Sequence, residues 1–174
     1  EKMGQPLNTS NEDEVTAISY DAQRMFISRY NGTHQDLYES ELSGSSWSEP
    51  KALFQNSINT EYNEKQASFS HDNIKTYFVT DNPYANKGGT DMFFSGRINA
   101  RHSEEWGKAF TVGSELNTKH NEGCIYMHPD GQTIYFTSKG HNSMGGYDVF
   151  KSVRLPGKWS EPVNLGYPVN TVYD

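Results

Sequence analysis

Three carboxylates recur at one place in the chain: Asp13 in NEDE, Glu64 in YNE and Glu122 in HNE. A column of carboxylates could attract a cation or a basic partner segment. Glycoside cleavage would instead need two carboxyls at a set separation or an arginine cluster gripping an anionic substrate. The fold itself has a competing use for them, because a carboxylate at a strand entry accepts backbone N–H groups. A second set, Asp36, Asp91 and Asp148, opens DLY, DMFF and DVF after polar or glycine-rich loops, where such a role is the natural one. Little else in the chain points to chemistry. The histidines (His34, His71, His102, His120, His128 and His141) contain no His-x-x-x-His pair. His34 and His141 fall in corresponding loops and could approach each other. The arginines, Arg24, Arg29, Arg97, Arg101 and Arg154, lie off the expected inner strands, so no cluster stands ready to grip an anionic substrate. There is no Gly-x-Ser-x-Gly elbow, and the acidic runs lack the EF-hand pattern. Cys124 is the single cysteine, so no internal disulfide forms, and it reads as a small buried residue. No catalytic residue, metal or cofactor is expected.

The elements that position these residues follow from composition and repetition. With 174 residues the chain has the length of one domain. Only 33% of it is hydrophobic while 13% is aromatic, so burial must rest on Tyr, Phe and Trp. A mean hydropathy of -0.84 and the lack of a long apolar run exclude a spanning helix. The net charge of -7 argues against a nucleic-acid partner, which needs a basic surface.

Asn-Thr occurs in LNT (Leu7–Thr9), INT (Ile58–Thr60), LNT (Leu116–Thr118) and VNT (Val169–Thr171), at intervals of 51, 58 and 53 residues. The same markers follow in order each time: an acidic patch, a turn (SYDA, SHDN, HPDG), and an aromatic run (MFIS, YFVT, YFTS). A loop, an Asp-led run and a tryptophan (Trp47, Trp106, Trp159) complete the unit. Each unit holds four short strand candidates punctuated by Gly, Pro, Asn and Asp, with no long 3.6-residue periodicity. Four strands in each repeat of fifty-odd residues predict an all-β β-propeller with three four-stranded antiparallel blades. The blade units run over about 8–58, 59–116 and 117–169, and 170–174 starts the next. Pro50 and Pro162 are expected in the fourth, outer edge strand, where a missing N–H is tolerated. Because propellers have four to eight blades, the segment is expected to belong to a larger, six-bladed ring. The remaining blades would come from the same longer chain or from a second copy.

The HPDG turn, the IYFTS run after it and the Asp-aliphatic-aromatic strands DVF and DLY together resemble the TolB-like, WD-repeat-like propeller repeats of bacterial envelope proteins. GHNSMGGYDVF (Gly140–Phe150) followed by WSEPVNLGYPVNT resembles one subgroup, found in larger outer-membrane-associated proteins. Many of these carry an OmpA-like peptidoglycan-binding domain, and some are linked to type IX secretion and gliding. The first unit departs from the pattern, with SYDA for the turn and THQD where the third has GGYD. No OmpA-like segment lies within these residues, so peptidoglycan binding is not carried over. The resemblance implies a non-catalytic scaffold for protein–protein interaction, periplasmic or outer-membrane-associated, with protein partners in the envelope.

In a propeller the first strand lines the axis, and the Asn-Thr segment returns the chain there from the outer strand. The Asn and Thr side chains are expected to bond their own backbone. The loops between second and third strands open on the same face as that return. Asp13, Glu64 and Glu122, with His141 and Tyr147, are the candidate binding residues of this face. Asp36, Asp91 and Asp148 are read as structural repeat residues. So are Trp47, Trp106 and Trp159, each packed between blades with its indole N–H on a carbonyl. The alternative is a carbohydrate-binding or glycan-processing propeller, with Tyr62, Tyr84, Tyr147 and Trp106 as stacking platforms.

Overall fold

The computed structural model describes residues 3–53, 58–84, 87–98 and 105–173. Arg101 and His102, and residues 54–57 of the KALFQNS stretch, lie outside the described residues. Three antiparallel sheets succeed one another along the chain. The first contains β1 (Asp13–Ile18), β2 (Arg24–Tyr30) and β3 (Gln35–Ser43), with β4 (Ser46–Trp47) and β5 (Lys51–Ala52) both paired to β3. The second contains β6 (Glu64–Phe69), β7 (Lys75–Thr80), β8 (Asp91–Gly96) and β9 (Phe110–Thr111). The third contains β10 (Glu122–Met127), β11 (Thr133–Ser138) and β12 (Asp148–Leu155), with β13 (Lys158–Trp159) and β14 (Val163–Asn164) paired to β12. Each sheet is a blade with four strand positions. The first strands β1, β6 and β10 contact one another and form the inner side of a β-propeller segment.

The outer strand is broken in two in the first and third blades. Pro50 and Pro162 stand in that gap rather than within a strand, because a residue without an N–H cannot continue the ladder. A side chain bridges the gap instead. Ser40 Oγ donates to Ser48 O (2.7 Å), Ser152 Oγ to Ser160 O (2.7 Å), and Ser95 Oγ to Gly107 O (2.6 Å) in the second blade. Each buried serine lies four residues after the aspartate that opens its strand.

Aromatic and aliphatic clusters weld the blades together. Phe26 of the first blade stacks on Phe69 of the second, with ring centroids 3.7 Å apart. Trp106 joins that cluster, and Trp159 joins the cluster shared by the second and third blades. Trp106 is 1% exposed, and its indole donates to the carboxylate of Glu39 on the preceding blade (3.3 Å), not to a carbonyl. Arg97 lies over the same indole at 4.1 Å and also binds Glu39, which Arg24 meets from the other side. Arg154 lies over Trp159 in the same way. There the position matching Glu39 is Phe94, and the Trp159 N–H has no hydrogen-bond partner among the described residues. Trp47 is half-buried against the small cluster of Leu7, Met25 and Ile27.

The hairpin turns between first and second strands share one left-handed residue. Gly131 adopts φ 67°, and Ala22 and Asn73 occupy the matching positions at 56° and 57°. Gly131 fits without cost, whereas Ala22 carries the Cβ penalty of that region.

Candidate functional site

Glu64 and Glu122 are 0% exposed, so they do not form an open acidic rim. Each sits at the first residue of an inner strand and clasps the return segment. Glu64 accepts from Thr60 N (2.9 Å), Thr60 Oγ1 (2.7 Å) and Thr80 Oγ1 (2.8 Å). Glu122 accepts from Thr118 N (3.1 Å), Thr118 Oγ1 (2.8 Å) and Ser138 Oγ (2.9 Å). Asp13 is held likewise by Thr9 N and Oγ1, but its cross-strand partner is Arg29, which donates through Nε. The repeated threonine thus serves the carboxylate four residues later.

The cross-strand residue sets the charge of each clasp. Asp13 faces Arg29 in the ladder, Glu64 faces Thr80, and Glu122 faces Ser138. Burial acts to raise the Asp13 carboxyl, but the bonds from Arg29 and Thr9 outweigh it and hold it below the usual range. Burial raises Glu64 above its ordinary value against the hydroxyl and amide bonds. Burial, with Asp91 adding to it, pushes Glu122 up to about 7.

The repeated asparagine bonds across the blade rather than to its own turn. Asn59 Oδ1 accepts from Leu37 N and its Nδ2 donates to Leu37 O, both at 2.9 Å. Asn117 does the same with Met92, and Asn170 with Val149. Each amide therefore acts as one more peptide unit on the edge of the third strand. The aspartates before these residues cap their own loops. Asp91 accepts from Lys87 N, Asp148 from Met144 N, and Asp36 from Asn31 Nδ2.

His141 and Tyr147 lie in the loop between β11 and β12. His141 Nε2 is 3.0 Å from Leu116 O, and its ring packs on Phe136 and Phe150, so it serves the junction of blades two and three. His34 bonds within its own loop, to Asn31 and Thr33, and the two histidines do not share a site. Tyr147 is 40% exposed, with Lys139 Nζ 4.7 Å above its ring. Trp106 is buried and offers no stacking face to solvent. Cys124 is exposed, contrary to the expectation of burial. The ladder slips between Glu122 and Ile125, and the thiol turns to the inner side and donates to Gln66 Oε1 at 3.4 Å. Among the described residues no three His, Cys, Asp or Glu side chains gather where they could hold a metal ion.

Two hollows remain. One, of about 390 Å³, lies along the inner strands and is lined by Thr16, Gln66, Cys124 and their neighbours. The other, of about 640 Å³, lies on the face of the return segments at the junction of blades one and two. Tyr38, Tyr62, Tyr84, Asp36, Asn31 and Asn82 contribute to its wall. Tyr62 and Tyr84 were legible as exposed aromatics. The contribution of Asp36 was not, since its column reads as purely structural.

No family model matches the chain, and no curated protein matches it. Solved structures do. A TolB from Acinetobacter baumannii superposes with a TM-score of 0.59 at 15% identity, over 89% of this chain and 33% of that one. A protein described as TolB from Agrobacterium tumefaciens gives 0.53 at 13% identity, over 83% of this chain and 43% of the other. The catalytic domain of an α-L-arabinofuranosidase from Coprinopsis cinerea gives 0.52 at 12% identity, over 99% and 55%. The chain spans less than half of either TolB structure. At these identities the likeness establishes the propeller fold.

Proposed function

We propose that the chain is part of a non-catalytic propeller that binds a protein partner through the loop face. The observation that carries this reading is where the polar repeat residues are spent. Thr, Asn, Asp and Glu of each repeat are consumed in clasps within and between blades. The surface left to vary is the set of β2–β3-type loops, which expose Met144, Tyr147 and Tyr84. Aromatic and methionine side chains are enriched at interface centres. Structural likeness to TolB propellers supports an interaction module over an enzyme, although a propeller in the arabinofuranosidase is catalytic. The same likeness supports a periplasmic setting; membership of a larger outer-membrane-associated protein or a type IX secretion complex rests on the sequence resemblance alone.

The test is affinity capture from a periplasmic extract with three baits: the native chain, M144S/Y147A on the loop face, and Asp130→Asn on the opposite face. A partner retained by the native and Asp130→Asn baits and lost from M144S/Y147A is the expected result. Equal capture by all three removes the loop face from the account. Turnover of a reporter glycoside or peptide by the native chain overturns the non-catalytic reading.

A further inference from the structure

The three blades are built alike, yet their loops differ, and a hollow of about 640 Å³ lies at the junction of blades one and two. The loops before the third strands explain why. In the second and third units that loop ends in Gly-Gly before the residue preceding the aspartate, and these glycines lie flat on the next return segment. A Cβ on Gly88 would stand 2.4 Å from Lys119 O, and one on Gly89 would stand 1.7 Å from Asn121 Oδ1. A Cβ on Gly145 would stand 2.9 Å from the Val172 carbonyl carbon. The first unit has Thr33-His34 at the corresponding places. Side chains there cannot lie as close to the return segment at Glu61; the end of the loop meets that segment through Gln35 N on Asn63 Oδ1 (3.0 Å), and the hollow lies beside it. The third strand carries the matching change. Tyr38 lines the opening where Phe93 and Phe150 are buried in the other blades.

What lines the opening describes its ligand. Tyr84 is 88% exposed, and Tyr62 meets it edge-on with ring centroids 6.3 Å apart, so flat apolar faces and phenol hydroxyls are both presented. Asp36 Oδ1 is buried and accepts no hydrogen bond among the described residues, with His34 Nε2 standing 3.5 Å away. Its other oxygen is already held by Asn31. A carboxylate is acceptor-only, so the free oxygen suits an O–H donor. Among the described residues no lysine or arginine lines the space, so none of them would clamp a sulfate, phosphate or uronate. The charge of Asp36 is met by its own loop, which makes a cation less suited than a neutral polyol. The volume is within the usual range for small-molecule sites.

We propose that this hollow binds a neutral saccharide of one or two rings, stacked on Tyr84 and Tyr62, with a sugar hydroxyl donating to Asp36 Oδ1. The site rests on the hollow alone and is independent of the protein-binding reading.

The experiment titrates the full chain with cellobiose, maltose, xylobiose and N,N′-diacetylchitobiose, by calorimetry and by saturation-transfer NMR. Glucuronate and a lysine-rich peptide serve as charged comparisons. Saturable binding of at least one neutral disaccharide is expected, at about millimolar dissociation constant or tighter. Tyr84→Ala, an exposed change that leaves the blade intact, should weaken it by about tenfold or more, as should Asp36→Asn. Val163→Ser, exposed on the outer edge of the third blade, should leave it unchanged. The proposal is overturned if no neutral disaccharide binds at about 10 mM. It is also overturned if binding is indifferent to Tyr84→Ala, or if glucuronate or the lysine-rich peptide binds in preference.

Discussion

Glu122 makes the stability of this fold decrease as pH rises through neutrality. Burial, and then Asp91 beside it, hold the carboxyl at about 7 against the ordinary glutamate value of 4.5. The bonds from Thr118 and Ser138 favour the charged form and do not win. Between the two values the folded chain binds more protons than the unfolded chain, so unfolding free energy falls with rising pH. That gap, about 2.5 pH units at 1.36 kcal/mol each, is worth about 3 kcal/mol. The contribution is complete below pH 4.5 and lost as pH passes about 7. Glu64, raised by burial, slopes the same way. Asp13, Asp21, Asp72 and Asp130 are lowered, so their contribution is lost only at the acid end, as pH falls through their folded values. The assay is a series of thermal melts from pH 5 to pH 8. For a chain of this size about 3 kcal/mol corresponds to a fall in Tm of about 6–12 °C. Glu122→Gln, which cannot ionise, should flatten much of that slope, and E64Q/E122Q should flatten it further. A Tm that is level or rises over this range, or a slope unchanged in Glu122→Gln, refutes the assignment.

Three further outcomes follow from single contacts. Ala22→Gly should raise stability by about 1 kcal/mol, because it relieves a left-handed alanine in a turn where the third blade already has Gly131; urea melts measure it. Glu39→Ala should cost about 3 kcal/mol, since it removes the buried acceptor shared by Arg97 Nη2 and the Trp106 N–H in the junction; a smaller loss with unchanged Trp fluorescence would show that water reaches the pair. Asn117→Ala should cost about 1–3 kcal/mol, as it unpairs Met92 N in a buried setting, while Met92 O keeps the Val112 N–H; hydrogen exchange at Met92 should quicken more than at Leu37.

The blade was legible because its marks are local. Strands of six or seven aromatic and β-branched residues, turn residues and the Asn-Thr recurrence all sit within one unit, and they predicted the sheets in order. What escaped sequence reasoning lies between units. That Thr118 serves Glu122 can be seen as a four-residue spacing, but burial of the pair depends on the neighbouring blade closing over it. Asn59 reaches back 22 residues to the main chain of Leu37, a partner that no spacing announces, because it matches a peptide group and not a side chain. Cys124 was misplaced because the strand slip between Glu122 and Ile125 turns it inward, and alternation alone predicts the other face. The serines Ser40, Ser95 and Ser152 were readable as Asp-x-x-x-Ser in all three units, and that signal was available from the start.

In a repeated fold a residue that recurs answers to the fold, so function is best sought where the repeat is broken. Three breaks stand out, and each has a different physical consequence. Arg29 in place of Thr80 or Ser138 helps hold the Asp13 carboxyl below its ordinary value, whereas burial raises those of the other two clasps. Phe94 in place of Glu39 leaves the Trp159 N–H without a partner among the described residues, a local cost with no surface effect. Thr33-His34 in place of Gly-Gly changes the surface, because side chains stand where the other loops lie flat, and a hollow lies beside Tyr38 and Asp36. Only the last break sets aromatic faces beside a buried carboxylate oxygen that has no partner among the described residues. Restoring Gly-Gly at Thr33 and His34 should let that loop settle onto Glu61 and close the space. Such a variant should keep the fold, gain protection from exchange at the return segment near Tyr62, and bind no saccharide; if it binds as the native chain does, the glycines are not what covers the other junctions.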